Sequence, residues 1–164
     1  MQKTDVLVLG AGIAGLTTAI KLAKARPDLK ITVLTKTNEN ESNTAWAQGG
    51  VAAVWDKKHD SYEKHVEDTL DAGDGLCVEK IVEIVVHEGP ERVQEIINWG
   101  ARFDKKETTD QYDLGREGGH SENRILHYKD ITGWEIQRTL LEELGRYPNI
   151  EFHEHYFAID LLTQ

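Results

Sequence analysis

The feature that most constrains the fold is a glycine-rich turn near the N-terminus. A Gly-x-Gly-x-x-Gly pattern spans residues 10–15 and directly follows the apolar run at residues 6–9. Apolar residues then recur at helical spacing over residues 13–25, and a second short apolar run occupies residues 31–34. This order predicts a parallel strand–helix–strand unit, and the continuous apolar character of residues 6–9 predicts a first strand buried on both faces.

A turn of this kind between a strand and a helix is typical of dinucleotide binding. Gly10 permits the tight turn, Gly12 lets the backbone approach a pyrophosphate, and Gly15 allows the helix to pack closely on the strand. The N-terminus of the helix adds a positive potential that favours phosphate. The alternative is a glycine-rich turn with no ligand, but the strand and helix on either side favour binding. The predicted contacts are Gly10, Ala11, Gly12, Ile13, Ala14 and Gly15.

The position that normally holds a ribose hydroxyl lacks its usual carboxylate. The second strand ends at Thr35 and Lys36, and the acidic residues Glu39 and Glu41 lie slightly farther along. Thr35 is a candidate hydrogen-bond partner for the ribose, and Lys36 for a phosphate or an adenosine hydroxyl. For Lys36, an exposed strand end is an equally good explanation.

The middle of the chain is predicted to be helical. Asp60 and Glu63 form a candidate N-terminal cap pair, and Pro90 suits the first turn of a helix. Three helices are therefore expected, at residues 60–72, 78–88 and 90–99.

The remainder is predicted as a charged loop, a helix and two strands. The loop covers residues 104–130, and a capping box of Thr132 and Glu135 starts a helix that continues to about residue 146. The expected buried side of that helix carries Trp134, Leu140, Leu141 and Leu144, and the strands are expected near 150–153 and 156–162. The fold class is thus α/β: a Rossmann-like parallel sheet, incomplete in this chain, with inserted helices.

Composition excludes several classes of function. The 164 residues carry 19 Lys and Arg against 29 Asp and Glu, a net charge of −10 that argues against nucleic acid as a partner. No apolar run approaches the ~20 residues of a membrane span, and no secretory signal pattern is present. A single cysteine, Cys77, is typical of a reducing compartment, so a cytoplasmic location is predicted. No metal site is expected, because the His153 and His155 pair lacks a third ligand.

Several ordered motifs resemble a known family. Residues 43–53 read Asn-Thr-Ala-Trp-Ala-Gln-Gly-Gly-Val-Ala-Ala and, with Thr35-Lys36, resemble the FAD-binding region of the succinate dehydrogenase/fumarate reductase flavoprotein superfamily. Within that superfamily, the L-aspartate oxidase family is the most similar. The segments that favour it are His-Val-Glu-Asp-Thr at 65–69, Arg-Glu-Gly-Gly-His-Ser at 116–121, Arg-Ile-Leu-His at 124–127 and Asp-Ile-Thr-Gly at 130–133.

The resemblance implies a cofactor and its mode of attachment. Relatives that hold FAD covalently carry a histidine just before the Thr-x-x-Ala-Gln-Gly-Gly segment, where this chain has Asn43. A carboxamide does not form that bond, so the implied FAD is non-covalent. The implied FAD contacts, besides the glycine turn, are Thr35, Lys36, Asn43, Thr44, Ala45, Trp46, Ala47, Gln48, Gly49, Gly50, Phe157 and Ala158.

The resemblance also implies a reaction, in which L-aspartate is oxidised to iminoaspartate for NAD biosynthesis and oxygen or fumarate accepts the electrons. Glu117 is the implied partner of the substrate's α-ammonium group, and His120 is a weaker catalytic candidate. The implied partners are L-aspartate and quinolinate synthase, which would receive the iminoaspartate. Residues 1–164 would be the N-terminal part of an FAD domain, with the catalytic arginine, the rest of that domain, a capping domain and a C-terminal helical domain outside this chain. Two alternatives stay open: a soluble fumarate reductase or succinate dehydrogenase-like flavoprotein, and a non-catalytic nucleotide-binding fragment.

Overall fold

The structure, a computed structural model, describes residues 3–162. Its elements divide between two compact units, one formed by residues up to 47 and from 133 onward, the other by residues 48–132. In chain order the elements are β1 (Val6–Leu9), α1 (Ile13–Ala25), β2 (Ile31–Leu34), β3 (Val51–Ala52), α2 (Tyr62–Ala72), α3 (Glu79–Asn98), β4 (Leu114–Gly115), β5 (Ile125–Leu126), α4 (Thr132–Leu144) and β6 (Ile150–His153). None of the helices within residues 3–162 is both long enough and apolar enough to cross a membrane.

The first unit contains a three-stranded parallel sheet in the order β1–β2–β6. Val6 pairs with Ile31, and Ile31 pairs in turn with Ile150. The first two strands and α1 form the predicted strand–helix–strand unit, and the α/β class is confirmed. Helix α1 buries Leu16, Ile20 and Ala23 of the apolar face that the periodicity predicts, together with Ala19. Ile13, the first residue of that predicted face, is 42% exposed.

The prediction that β1 is buried on both faces is wrong. Leu7 and Leu9 are 45% and 51% exposed, whereas the central strand β2 buries Ile31 and Val33 completely. Helix α1 packs against the face of β1 that carries Val8, and the alternate side chains point the other way. The strand β1 is therefore covered on one face only, and its continuous apolar run does not indicate burial of both faces.

The C-terminal part of the first unit departs from prediction in two places. Trp134 is 41% exposed, whereas residues 132, 133, 135–137, 139, 140, 143 and 144 of α4 are buried. The strand expected at 156–162 is irregular and exposed: the Tyr156 amide donates to the Thr35 carbonyl oxygen at 3.0 Å, and beyond it the chain pairs with no described strand.

The second unit packs two helices with a small antiparallel sheet in the order β3–β5–β4. The predicted loop at 104–130 thus contains two short strands. Residues 79–98 form one continuous helix, so the prediction of separate helices around Pro90 is wrong. Part of the penalty for proline in a helix is a clash with the Cβ of the preceding residue, and Gly89 has no Cβ, so this part is absent at Pro90. The apolar core of this unit contains Ala53, Val93, Ala101, Phe103 and Leu126.

The predicted Asp60–Glu63 cap is also wrong. Ser61 is the N-cap of α2, and its hydroxyl accepts a hydrogen bond from the Lys64 amide at 3.3 Å. Asp60 is instead buried against Arg124. The Asp60 carboxylate thus forms an ion pair with a residue distant in sequence and does not cap α2.

Candidate functional site

A cavity of about 620 Å³ lies in the first unit at the carboxyl ends of β1 and β2. Ligands bind at this edge in open parallel sheets, because the loops after the strands converge there. The volume is within the range usual for small-molecule sites. Its lining consists of Leu9, Gly10, Ala11, Gly12, Leu34, Thr35, Lys36, Thr37, Glu41, Ser42, Asn43, Thr44, Trp46, Tyr156, Phe157 and Ala158.

The glycine turn has the geometry that its motif predicts. Gly10 adopts a φ of 105°, which L side chains rarely tolerate, and its amide donates to the Leu34 carbonyl oxygen at 2.9 Å. A Cβ on Gly15 would overlap the Gly10 carbonyl oxygen, so only glycine permits this approach of α1 to the turn. The first and third glycines are therefore fixed by sterics within the fold.

The N-terminus of α1 is linked to the Thr-x-x-Ala-Gln-Gly-Gly segment. Gly12 is the N-cap of this helix, and it has no side chain that could accept hydrogen bonds from the free backbone amides of the first helical turn. Thr44 Oγ1 does so instead, accepting from the Ile13 amide at 3.0 Å. The hydroxyl thus lies at the positive end of the helix, beside backbone that faces the cavity.

Ten of the residues predicted to bind cofactor line this cavity together. They are Gly10, Ala11, Gly12, Thr35, Lys36, Asn43, Thr44, Trp46, Phe157 and Ala158. Of the others, Ile13, Ala14, Gly15, Ala45 and Ala47 belong to the same unit but are outside the lining, and Gln48, Gly49 and Gly50 belong to the second unit. A polar hydroxyl and an ammonium after β2, glycine backbone at the turn and a helix N-terminus are suitable groups for a dinucleotide.

Sequence reasoning missed residues that surround this cavity. Ser42, Thr37 and Tyr156 line it, and the only local signal for the first two is their position between two predicted contact segments. Gly133 is a clearer omission: a Cβ there would overlap the Thr44 carbonyl oxygen and lie 2.7 Å from that of Ala47. Its place in the Asp-Ile-Thr-Gly motif was the available signal.

In the second unit, Glu117 lies against the Gly49–Gly50 backbone. Its Oε1 accepts from the Gly50 amide at 3.2 Å and would be 3.4 Å from a Cβ placed on Gly49. The residue predicted to recognise substrate is therefore in contact with the glycines predicted to approach the flavin. Gly50 is itself pressed against β5, where a Cβ would overlap the Ile125 side chain.

A buried ion-pair cluster fixes the segment that follows Glu117. Arg124 is fully buried and donates to both carboxylate oxygens of Asp60, from Nε at 2.9 Å and from a terminal nitrogen at 2.8 Å. Its other terminal nitrogen donates to Asp68 at 2.5 Å, and Asp68 also accepts from the Ser121 amide and hydroxyl at 2.8 and 2.9 Å. Burial acts to raise the pKa of Asp68, but the hydrogen bonds from Ser121 and Arg124 outweigh it and lower the pKa to about 2.

Two histidines border this cluster. His120 Nδ1 lies 3.1 Å from an Arg124 terminal nitrogen and must accept, since a guanidinium has no acceptor. His65 packs 5.6 Å from the His120 ring, and burial, with the charge of Arg124, lowers the pKa of His65. Among residues 3–162 there is no cluster of three or more His, Cys, Asp or Glu side chains suited to a metal ion.

Comparison with known families decides the cofactor. The family described as "FAD binding domain" matches residues 5–164. The chain belongs to this FAD-binding family. Its cofactor is FAD.

Several similar proteins are named L-aspartate oxidase. This FAD-binding chain is 50% identical over 159 residues to L-aspartate oxidase 2-a of Nicotiana tabacum, covering 97% of the chain and 24% of the relative. It is 45% identical to an L-aspartate oxidase of Yersinia pestis, covering 98% and 30% respectively. The chain thus spans about a quarter to a third of the length of these relatives.

Solved structures show the same fold. A quinol fumarate reductase of E. coli superposes with a TM-score of 0.91 at 34% identity, over 98% of this chain and 27% of that one. Mycobacterium smegmatis Sdh1 superposes with a TM-score of 0.82 at 33% identity, over 94% and 28%. The resemblance to the succinate dehydrogenase/fumarate reductase superfamily is therefore confirmed.

Proposed function

We propose that residues 1–164 are the N-terminal part of the FAD domain of an L-aspartate oxidase. The reaction is the oxidation of L-aspartate to iminoaspartate for NAD biosynthesis, with oxygen or fumarate as the electron acceptor. The observation that carries this proposal is the 42–50% identity, across nearly the whole chain, to relatives named L-aspartate oxidase. The catalytic arginine and the capping and helical domains would lie outside this chain.

The cavity of the first unit is the proposed site for the nucleotide part of FAD. Gly10, Ala11 and Gly12 would face the pyrophosphate, while Thr35 and Lys36 would meet the ribose and a phosphate. Asn43 lines the same cavity and offers no nucleophile for a covalent bond, which supports non-covalent attachment. Gly49 and Gly50 are proposed to approach the flavin ring with backbone amides, and Gln48 to hydrogen-bond to a phosphate or to the ring.

Glu117 is the proposed determinant of amino-acid specificity. When bound, FAD supplies the two-electron acceptor that side chains lack. Glu117 contributes a carboxylate held against the Gly49–Gly50 backbone, where it can pair with the α-ammonium of L-aspartate. Succinate has no ammonium group, so the Glu117 carboxylate would repel the carboxylates of succinate without forming any compensating ion pair.

His120 has a narrower proposed role. Because its Nδ1 accepts from Arg124, the neutral ring carries its proton on Nε2. That nitrogen is a hydrogen-bond donor suited to a substrate carboxylate. Asp68, which accepts hydrogen bonds from Ser121 and Arg124, supports this arrangement by fixing the loop.

The second candidate is a soluble fumarate reductase or succinate dehydrogenase-like flavoprotein, favoured by the TM-score of 0.91 to a quinol fumarate reductase. Turnover of L-aspartate against succinate by the full-length protein separates the two. Consumption of L-aspartate with iminoaspartate formation supports the proposal, whereas oxidation of succinate alone refutes it. A protein that retains flavin but oxidises neither would be a non-catalytic nucleotide-binding protein, the third possibility.

Attachment, location and partner have their own tests. Acid precipitation of the holoprotein should release all flavin into the supernatant if FAD is non-covalent. The proposed location is cytoplasmic, which cell fractionation tests, although the relatives from tobacco and rice are named as chloroplastic. The proposed hand-off of iminoaspartate to quinolinate synthase predicts that adding this enzyme shortens the lifetime of free iminoaspartate in a coupled assay.

A further inference from the structure

Gln137 is a buried amide on α4 that no cofactor motif marks. It lies one helical turn after Gly133, so both residues share the face of α4 that supports the cavity loops. Its side chain is only 1% exposed. A buried amide is destabilising unless its donors and acceptor are paired, so the partners of Gln137 define what it does.

Those partners are all polar groups of the loops around the cavity. Nε2 donates to the Ala11 carbonyl oxygen at 2.9 Å and to the Glu39 carbonyl oxygen at 2.8 Å. Oε1 accepts from the Ser42 hydroxyl at 3.1 Å, and Ser42 Oγ accepts in turn from the Ala45 amide at 3.0 Å. Both N–H bonds of the amide and its oxygen are thereby used.

These partners come from three stretches that are distant from α4 in sequence. Ala11 belongs to the glycine turn, Glu39 to the loop after β2, and Ser42 to the segment that leads into Thr44. Gln137 itself does not line the cavity, so it would affect a bound ligand only through these three stretches. Through its hydrogen bonds, Gln137 connects the three stretches around the cavity to helix α4.

We propose that Gln137 is a positioning residue for FAD, which holds the glycine turn, the loop after β2 and the 42–45 segment at the separation that the nucleotide requires. The inference rests on the proposed nucleotide site in this cavity. Without the clamp, each loop would have to be ordered when FAD binds, and that cost would appear as lost affinity. Glutamine suits the role because a single planar amide offers two donors and one acceptor; a carboxylate would face two carbonyl oxygens without a donor.

The test compares Gln137→Met in the full-length protein with Gln94→Met. Gln94 is exposed on α3, where its side chain donates to Asn98 at 3.0 Å, so the same chemical change is made at a residue that does not line the cavity. The readouts are the FAD dissociation constant, from flavin fluorescence on titrating apoprotein, and the melting temperature of the apoprotein. We expect Gln137→Met to raise the dissociation constant by about tenfold or more, equivalent to about 1.4 kcal/mol, and Gln94→Met to leave it unchanged.

A milder variant keeps the test decisive if Gln137→Met folds poorly. Ser42→Ala removes one partner of the clamp and should raise the dissociation constant by about threefold, in line with the loss of one hydrogen bond. In the double variant the two effects should be less than additive, since both changes release the same loop.

The inference would be overturned if folded Gln137→Met bound FAD with a dissociation constant within about twofold of that of wild type. The expected change is about tenfold, which is equivalent to about 1.4 kcal/mol. Full additivity with Ser42→Ala would also overturn the inference, because a purely structural role would lower the melting temperature without that coupling. Wild-type protein that binds no FAD would refute the proposed site together with the role of Gln137 in it. Normal wild-type binding with an unaffected Gln137→Met would refute only the latter.

Discussion

Replacing Arg124 by methionine should destabilise the protein severely, because it leaves buried carboxylates without their partner. Asp60 is 1% exposed at its side chain and takes both of its charge-assisted hydrogen bonds from Arg124. Removing one member of a buried ion pair typically costs about 3–5 kcal/mol, since the remaining charge stays desolvated. For a domain of this size that loss corresponds to a fall of roughly 6–20 °C in the melting temperature.

Differential scanning calorimetry of the full-length protein measures this effect. Arg26→Met is the matched control, because the Arg26–Asp28 pair is more than half exposed and screened by solvent. Its melting temperature should stay close to that of wild type. In the double variant Arg124→Met with Asp60→Asn, the stranded charge is gone, so part of the lost stability should return.

Two results would refute this reasoning. One is an Arg124→Met protein with the same melting temperature as the wild type, which would mean that the buried Asp60 carboxylate does not depend on the Arg124 guanidinium. The other is a double variant no more stable than Arg124→Met, which would mean that lost packing rather than the stranded charge causes the damage. Flavin content measured alongside would show whether the loop carrying His120 and Ser121 is needed for cofactor retention.

Three further predictions concern cofactor, substrate and pH. Gly15→Ala should weaken FAD binding by about tenfold or more in fluorescence titration, since an added Cβ overlaps the Gly10 carbonyl oxygen and overpacking typically costs about 1–3 kcal/mol; unchanged affinity would contradict this. Glu117→Gln keeps an oxygen for the Gly50 amide but loses the charge, so steady-state kinetics should show a higher KM for L-aspartate with FAD affinity unchanged, and equal KM values would remove the proposed role. Asp68 has a lowered pKa in the fold, so its contribution to stability is present above pH ~4 and is lost as pH falls toward 2; an acid titration of Asp68→Asn should lack that part of the transition.

Local signals account for the parts of the fold that were predicted correctly. The glycine turn, the helical periodicity of α1 and the apolar run of β2 each depend on neighbours within a few residues, and all three appear as expected. The predicted contacts that meet in the cavity follow from the same logic, because loops after parallel strands share one edge of the sheet. Where local rules compete with burial, prediction failed: Pro90 lies inside α3, and Asp60 pairs with Arg124 instead of capping α2.

The sequence by itself thus determined the class of fold, the glycine turn and the family. Only the tertiary structure decided which distant polar residues pair in the folded chain. Gln137 is 126 positions from Ala11, and Arg124 is 64 positions from Asp60, so no spacing rule connects them. Periodicity reports which side of an element is apolar, whereas a buried amide or guanidinium is stable only where the folded chain brings the matching donors and acceptors to it.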